Sequence, residues 1–270
     1  MMKWLLTMSF MAGIALCATT GCQPTVEKPL VLGPPDADII DQAPPYITQA
    51  AEAAGGWQAW TKIQQLCCRS VVTFYNPDGS FYLTQQCHQM QPWLNSITIE
   101  SLEPQGKFVC RLSEGQFTTV QSPGNSEVFC GEVSVSCCAQ AVLETVTAPA
   151  RFLDSRAVFT KSTDPVKIEG LWYYPIEKAP AAQHDADTQK VIFYQNTDTS
   201  AVDIVSFVAD DKHPGYLPVI VRAYDYRQIQ DRQVMLPGRL EIFRTDAWGQ
   251  PGRRLVKIDF ETWSVKQYGP

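Results

Sequence analysis

Residues 255–265 read LVKIDFETWSV, and their alternation decides the fold. Val256, Ile258 and Phe260 fall on one side of an extended chain, and Lys257, Asp259 and Glu261 on the other. Side chains along a strand point alternately to its two faces, so this stretch predicts a strand with one dry and one wet face. Val219–Tyr226 and Val234–Arg244 precede it with similar composition, so Tyr216 to Val265 reads as three long strands joined by tight turns. A sheet that is dry on one side has to be covered there, and the rest of the chain must supply the cover.

Upstream, Val166–Tyr174, Lys190–Tyr194 and Val202–Val208 have strand composition, with a long polar segment, Ala179–Thr188, between the first two. Leu66–Tyr75 and Phe81–Met90 flank Asn76-Pro77-Asp78-Gly79, a strong turn signal. Ile97–Leu102 and Lys107–Leu112 flank Pro104-Gln105-Gly106 as a second hairpin. Gln116–Gln121 and Val128–Val135 read as further strands. Helical character is confined to three places. Tyr46–Ala54 starts after Pro45 and is broken by Gly55-Gly56; Trp57–Gln65 resumes it; Ser136–Thr147 carries Ala139, Val142, Leu143 and Val146 on one face. Pro149 ends or kinks that last helix, and Ala150–Ala157 reads as its extension.

The 270 residues suffice for one large β-rich domain, and no repeat or second linker divides them after Pro45. A formal charge of −6 with no basic face argues against nucleic acid as a partner and against electrostatic attraction to an anionic membrane. Beyond the N-terminus no run approaches the roughly 18–20 apolar residues of a spanning helix.

Residues 1–21 read as a signal peptide: Lys3, an apolar run from Trp4 to Ala18, then Thr19-Thr20-Gly21 before Cys22. The junction resembles the bacterial lipobox, although Thr19 stands where Leu is usual. That resemblance implies lipidation of Cys22 and a membrane partner held through an N-terminal lipid anchor. Gln23, rather than Asp, after the cysteine implies the periplasmic face of the outer membrane. The alternative is plain cleavage near Ala18, with Cys22 an ordinary thiol. Residues 22–44 carry Pro24, Pro29, Pro34, Pro35 and Pro44 and read as a semi-stiff tether, leaving 45–270 as a single domain.

Gly55-Gly56-Trp57 near the start, a meander, central helices and a closing Ala223-Tyr224-Asp225-Tyr226-Arg227, with Leu236-Pro237 before strand Arg239–Arg244, form an order that resembles the LolA/LolB/LppX-like lipoprotein-carrier superfamily. The resemblance spans most of Tyr46–Val265. It implies an α+β fold: a strongly curved antiparallel β-sheet, an unclosed barrel of about 9–11 strands, with helices packed in the concave side. Members hold acyl chains between sheet and helices and have no catalytic residues, so the implied ligand is a lipid or a lipoprotein acyl chain, without cofactor. No ligand-contact motif matches position by position. The apolar candidates to line such a seam are Trp57, Trp60, Trp93, Trp172, Tyr174, Phe193, Phe207 and Trp263; the bland alternative is that they fill a dry core. A filled core would make the chain a structural or protein-interaction module of the cell envelope.

Cys67, Cys68, Cys87, Cys110, Cys130, Cys137 and Cys138 cluster in one third of the chain. Outside the cytoplasm thiols tend to pair, and all seven are disulfide candidates. Counting outward from a two-residue Pro77-Asp78 turn sets Cys68 opposite Cys87; a bulge at Gly79 slips the register and leaves Cys67 diagonal to Cys87. Cys137 or Cys138 could reach Cys130 or Cys110. A cysteine-based metal or thiol protein is the third reading, but adjacent strand residues face opposite ways and no Cys-x-x-Cys spacing occurs, so no metal site is assigned. No nucleophile elbow, zinc-protease helix, phosphate loop or dinucleotide fingerprint is present, and no catalytic residue is assigned.

Overall fold

The computed structural model describes residues 33–35, 37–103, 108–113, 116–121, 132–153, 157–180, 190–208, 217–229, 233–246 and 248–268. The chain divides into Met1–Val31 and Leu32–Pro270, and everything described belongs to the second unit. The signal peptide, Cys22 and most of the tether therefore lie outside the described residues, as does Cys130. The tether's last part does not hang free. Ala37–Asp41 forms a short helix (α1), and Ile40 and Ala43 pack on the core.

The strand that alternates in sequence is the longest among the described residues, β15 (Pro251–Gln267). It pairs antiparallel on both sides, with β1 (Ile63–Tyr75) and with β14 (Arg239–Thr245). Val256, Ile258 and Phe260 are buried, whereas Lys257 and Asp259 are half-exposed. Between Arg69 and Ser70 of β1 the register slips, so Glu261 is an extra residue on β15. The bulge turns Trp263 back to the face of Phe260, with ring centroids 4.8 Å apart.

From β1 the sheet runs outward through β2 (Phe81–Gln91), β3 (Ser96–Glu103), β4 (Phe108–Ser113) and β5 (Gln116–Gln121), all antiparallel neighbours. From β14 it runs the other way through β11 (Val219–Tyr224), β10 (Val202–Phe207), β9 (Val191–Asn196), β8 (Leu171–Pro180) and β6 (Ala157–Lys161), with β7 (Val166–Ile168) also on β8. The result is an unclosed antiparallel sheet of thirteen strands whose extent is consistent with strong curvature. A two-stranded ribbon, β12 (Arg227–Gln228) with β13 (Met235–Leu236), stands apart.

The expected 9–11 strands fall short of thirteen for local reasons. Val166–Tyr174 is not one strand: Glu169 and Gly170 take positive φ and fold it into the β7–β8 hairpin. Val234–Arg244 divides at Pro237-Gly238 into β13 and β14. Ala157 begins β6 rather than extending a helix. Val128–Val135 is not a described strand, since Val135 already opens a helix and 122–131 lie outside the described residues.

The helices are α2 (Pro45–Ala53), α3 (Trp57–Trp60), α4 (Val135–Val146) and α5 (Ala148–Arg151). Trp57–Gln65 was too long a helix: it ends at Trp60, and Ile63 already belongs to β1. Ser134 caps α4, its hydroxyl accepting from the Cys137 N–H at 3.1 Å. Nine residues of α4, from Cys137 to Val146, are buried, far more than one stripe. A helix covered on nearly all sides lies inside a fold rather than on it. It contacts β3 and β4 as well as β10 and β11. Among the described residues no helix is long and apolar enough to cross a membrane.

Gly55 is fixed by two constraints. Its φ is +107°, and a Cβ there would overlap the backbone carbonyl oxygen of Gln233. The Gly55→Ala variant is expected to lose about 2 kcal/mol or more, a fall in Tm of several degrees for a domain of this size, in a thermal melt followed by circular dichroism. The Gly79→Asn variant also meets a positive φ, +85°, but asparagine tolerates that region better than most residues and its Cβ would meet nothing within 4 Å, so the loss should be smaller, about 1 kcal/mol or less.

Candidate functional site

A cavity of about 290 Å³ lies between the helices and one end of the sheet. Its walls come from α2 (Ala50, Ala53 and the following Ala54), Trp60 of α3, Thr145 and Val146 of α4, Ala148, Pro149 and Phe152 at α5, the Thr199–Ala201 turn, Val202 and Asp203 of β10, Tyr226 and Met235. The space exists because the helices present alanine to it: Ala50, Ala53, Ala54 and Ala148, with Ala201 opposite. A methyl group cannot fill the gap that a leucine would, and interiors otherwise pack without voids. The walls that remain are held firmly. Trp60 donates from Nε1 to the Ala54 carbonyl at 3.0 Å, and the Met235 N–H donates to the same oxygen at 3.0 Å, tying the β12–β13 ribbon to the end of α2.

Four polar side chains interrupt this apolar lining: Asp203, Thr145, Tyr226 and Thr199. Asp203 is the extra residue where the β9–β10 register slips between Val202 and Ile204. The Tyr173 hydroxyl donates to its Oδ2 at 3.5 Å, while its buried Oδ1 has no partner. Burial pushes the carboxyl up from 3.8 to about 6, its own backbone N–H and Tyr173 only partly offsetting this. Thr145 is 3% exposed, and its hydroxyl oxygen also has no partner. Leaving such a group unpaired costs about 1–3 kcal/mol. Beside them the Tyr226 hydroxyl donates to the Val202 carbonyl at 3.2 Å, and burial raises its pKa.

The aromatic candidates divide sharply. Trp60 lines the cavity. Phe193 lies one layer behind it, its ring 5.1 Å from that of Phe152. Trp57, Trp93 and Phe207 are buried in the core outside the lining. Trp263 packs on Phe260 and donates to the Pro237 carbonyl. Tyr174 sits under the Lys161 ammonium, 4.1 Å from the ring centroid. Trp172 is 49% exposed at the tip of the β7–β8 hairpin. Asp203, Thr145, Phe152 and Tyr226 were missed. One signal was available for Asp203, a lone acid inside the apolar run Val202–Phe207.

Under the other half of the sheet, the dry face carries a polar row: Ser70, Thr84, Gln86, His88 and Ser101 are all buried. His88 Nε2 lies 2.9 Å from Gln86 Oε1 and 3.3 Å from Ser70 Oγ. Burial lowers its pKa to about 3, so the ring is neutral. If Nε2 carries the proton given to Gln86, it cannot take one from Ser70, and the adjoining cavity of about 10 Å³ holds a single water at most. The row is a buried hydrogen-bonded network in which His88 Nδ1 alone of the ring nitrogens has no partner, and the space beside it has no room for a substrate.

The cysteine register is the slipped one. The hairpin closes with Tyr75 opposite Phe81, so Cys68 faces His88 and Cys87 faces Arg69. A Cys68–Cys87 bridge is thereby ruled out, since the two point to opposite faces; Cys67 and Cys87 share one face diagonally. Cys67, Cys68, Cys87, Cys110 and Cys137 carry free thiols. Burial pushes Cys110 and Cys137 up to about 12. Cys138 is buried beside His88. Among the described residues no three His, Cys, Asp or Glu side chains converge as metal ligands.

No family model matches the chain, and no curated protein is significantly similar to it. Solved structures are. A LolA superfamily protein from Nitrosomonas europaea is 13% identical with a TM-score of 0.50, over 83% of this chain and 93% of that one. A DUF1329 family protein from Desulfovibrio piger is 10% identical with a TM-score of 0.52, over 82% and 91%. At such identities the likeness is one of fold, and the fold is LolA-like.

Asp203 and His88 set opposite pH dependences. A carboxyl whose pKa rises on folding stabilises the native state at low pH, and that contribution is lost as pH climbs from about 4 through about 6. A histidine whose pKa falls contributes fully above 6.5 and loses it as pH drops toward 3. Comparing Asp203→Asn with the native chain isolates the first. The variant's Tm should gain on the native value as pH rises from 4 to 7; a constant difference would contradict a buried, raised carboxyl.

Proposed function

We propose that this chain is a membrane-anchored extracytoplasmic lipoprotein that holds the apolar part of a lipid, or an acyl chain, in the cavity between α2, α4, α5 and β10. The observation that carries the reading is that cavity, walled by alanine and aromatic side chains in a LolA-like fold. Helices in the hollow of a curved sheet account for the contacts of α4. Seven strand steps separate β4 from β10, about 34 Å across a flat sheet. A helix of 12 residues is about 18 Å long, so its contacts with both strands support a sheet that curls around it. At about 290 Å³ the cavity is at the lower end of the range for ligand pockets, which favours a single chain over a multiply acylated group. The anchor rests on the lipobox-like Gly21-Cys22 junction.

A second reading, a protein-interaction module, draws on the apolar side chains left in solvent. Leu171 and Trp172 stand at the β7–β8 tip, and Trp248 is 85% exposed in the turn before β15. Gln250 of that turn donates to the Lys167 carbonyl, so these groups occupy one end of the molecule.

One set of measurements separates the readings. Chain extracted from membranes should have an intact mass exceeding the polypeptide from Cys22 by its acyl groups, and the purified domain should enhance the fluorescence of the neutral probe N-phenyl-1-naphthylamine. Ala50→Phe, which fills the cavity, should weaken probe binding at least tenfold while the fold persists. Probe binding unchanged by Ala50→Phe but lost in Trp172→Ser and Trp248→Ser would favour the interaction module instead.

A further inference from the structure

The cavity is not uniformly apolar, and the exceptions say what its occupant carries. Asp203 Oδ1 and Thr145 Oγ are buried at its wall with no partner in the protein. Thr147, two residues on in the same segment, satisfies its hydroxyl by donating to the Leu143 carbonyl at 2.6 Å. Thr145 makes no such bond, although helical threonine commonly does. Beside its own backbone N–H, the Asp203 carboxyl receives the Tyr173 hydroxyl on Oδ2, which leaves Oδ1 without a partner. Of the described buried side-chain atoms left without a partner, these two belong to residues that line the cavity, where a group arriving with the ligand would pair them.

We propose that the ligand is a single-chain amphiphile whose polar end donates a hydrogen bond, a long-chain alcohol or amine, with Asp203 accepting from that end and the chain lying along Ala50, Trp60, Ala148 and Phe152. The inference rests on the apolar-ligand reading and adds the headgroup to it. Asp203 is an acceptor when ionised, so it favours a donor and repels a carboxylate. The groups facing it are the Tyr173 hydroxyl from β8 and the Tyr226 hydroxyl, whose pKa values are both raised and which stay neutral at physiological pH. Ionisation of Asp203 near pH 6 makes the preference pH-dependent. Thr145 has both a proton and lone pairs to offer, so it holds the end group from the helix side.

The test is displacement of N-phenyl-1-naphthylamine by decylamine, decanol and decanoate, each below its micellar concentration, at pH 7.5 and pH 5. At pH 7.5 decylamine and decanol should bind at least tenfold more tightly than decanoate, the size of one charge-assisted hydrogen bond. At pH 5 the discrimination should shrink. Asp203→Asn should abolish the pH effect and most of the discrimination, and Thr145→Val, which keeps shape, should weaken decanol without making decanoate preferred. Decanoate binding as tightly as decylamine at pH 7.5, or a ranking unchanged in both variants, would overturn the headgroup assignment while leaving the cavity reading intact. Failure of the probe itself to bind would overturn both.

Discussion

Everything in this fold hangs on one strand with two partners. β15 pairs with β1 along one edge and with β14 along the other. On one side lies the meander β1 to β5, on the other the run from β14 out to β6. Remove that ladder and the protein is two unrelated half-sheets. The alternation of Val256, Ile258 and Phe260 with Lys257 and Asp259 fixes which face of the joined sheet is dry, because a slip of one residue would turn every one of them over.

A dry face this wide needs more cover than short helices usually give. α4 meets the need by being buried almost all round and touching strands from both halves. One charged contact anchors it: the Lys178 ammonium of β8 donates to the buried Glu144 carboxylate at 2.7 Å. The packing is filled where Phe159 and Phe193 of the sheet meet Phe152, which forms a wall of the cavity at the end of α5. Where α2 and α5 present alanine, it stays open. The cavity is thus a consequence of residue size at a few helix positions, and the polar atoms left in its wall follow from one β-bulge at Asp203 and one threonine on α4.

The order of elements was legible because periodicity and turn chemistry are local. The β1–β2 and β3–β4 hairpins, α2, α4, β11 and β15 all stand close to where their sequences place them. What failed depended on distant groups. Val234–Arg244 breaks at Pro237-Gly238, where Pro237 has no N–H to give a ladder and the Gly238 N–H is shared between the Tyr224 and Asp225 carbonyls. Of the two registers open for Cys68, the one that faces it with Cys87 gave way to the slipped one, because the turn is longer than two residues. Trp172 fell outside because Gly170 reverses the chain just before it. The aromatic residues were the natural candidates for a binding site, yet a site here is made by the smallest side chains, which leave no mark in a sequence read for large ones. Asp203 could be noticed but not aimed, since the bulge that turns it toward the cavity depends on pairing with β9.

The central claim is that one sheet bends far enough for α4 to lie against both of its halves at once. Nuclear Overhauser contacts in a sample with labelled Leu, Val and Ile methyl groups address it most directly. The account predicts cross-peaks from Val142, Leu143 and Val146 of α4 to methyl groups of β3–β4 and, in the same molecule, to methyl groups of β10–β11. Cross-peaks to one half only, with the other silent at long mixing times, would contradict it.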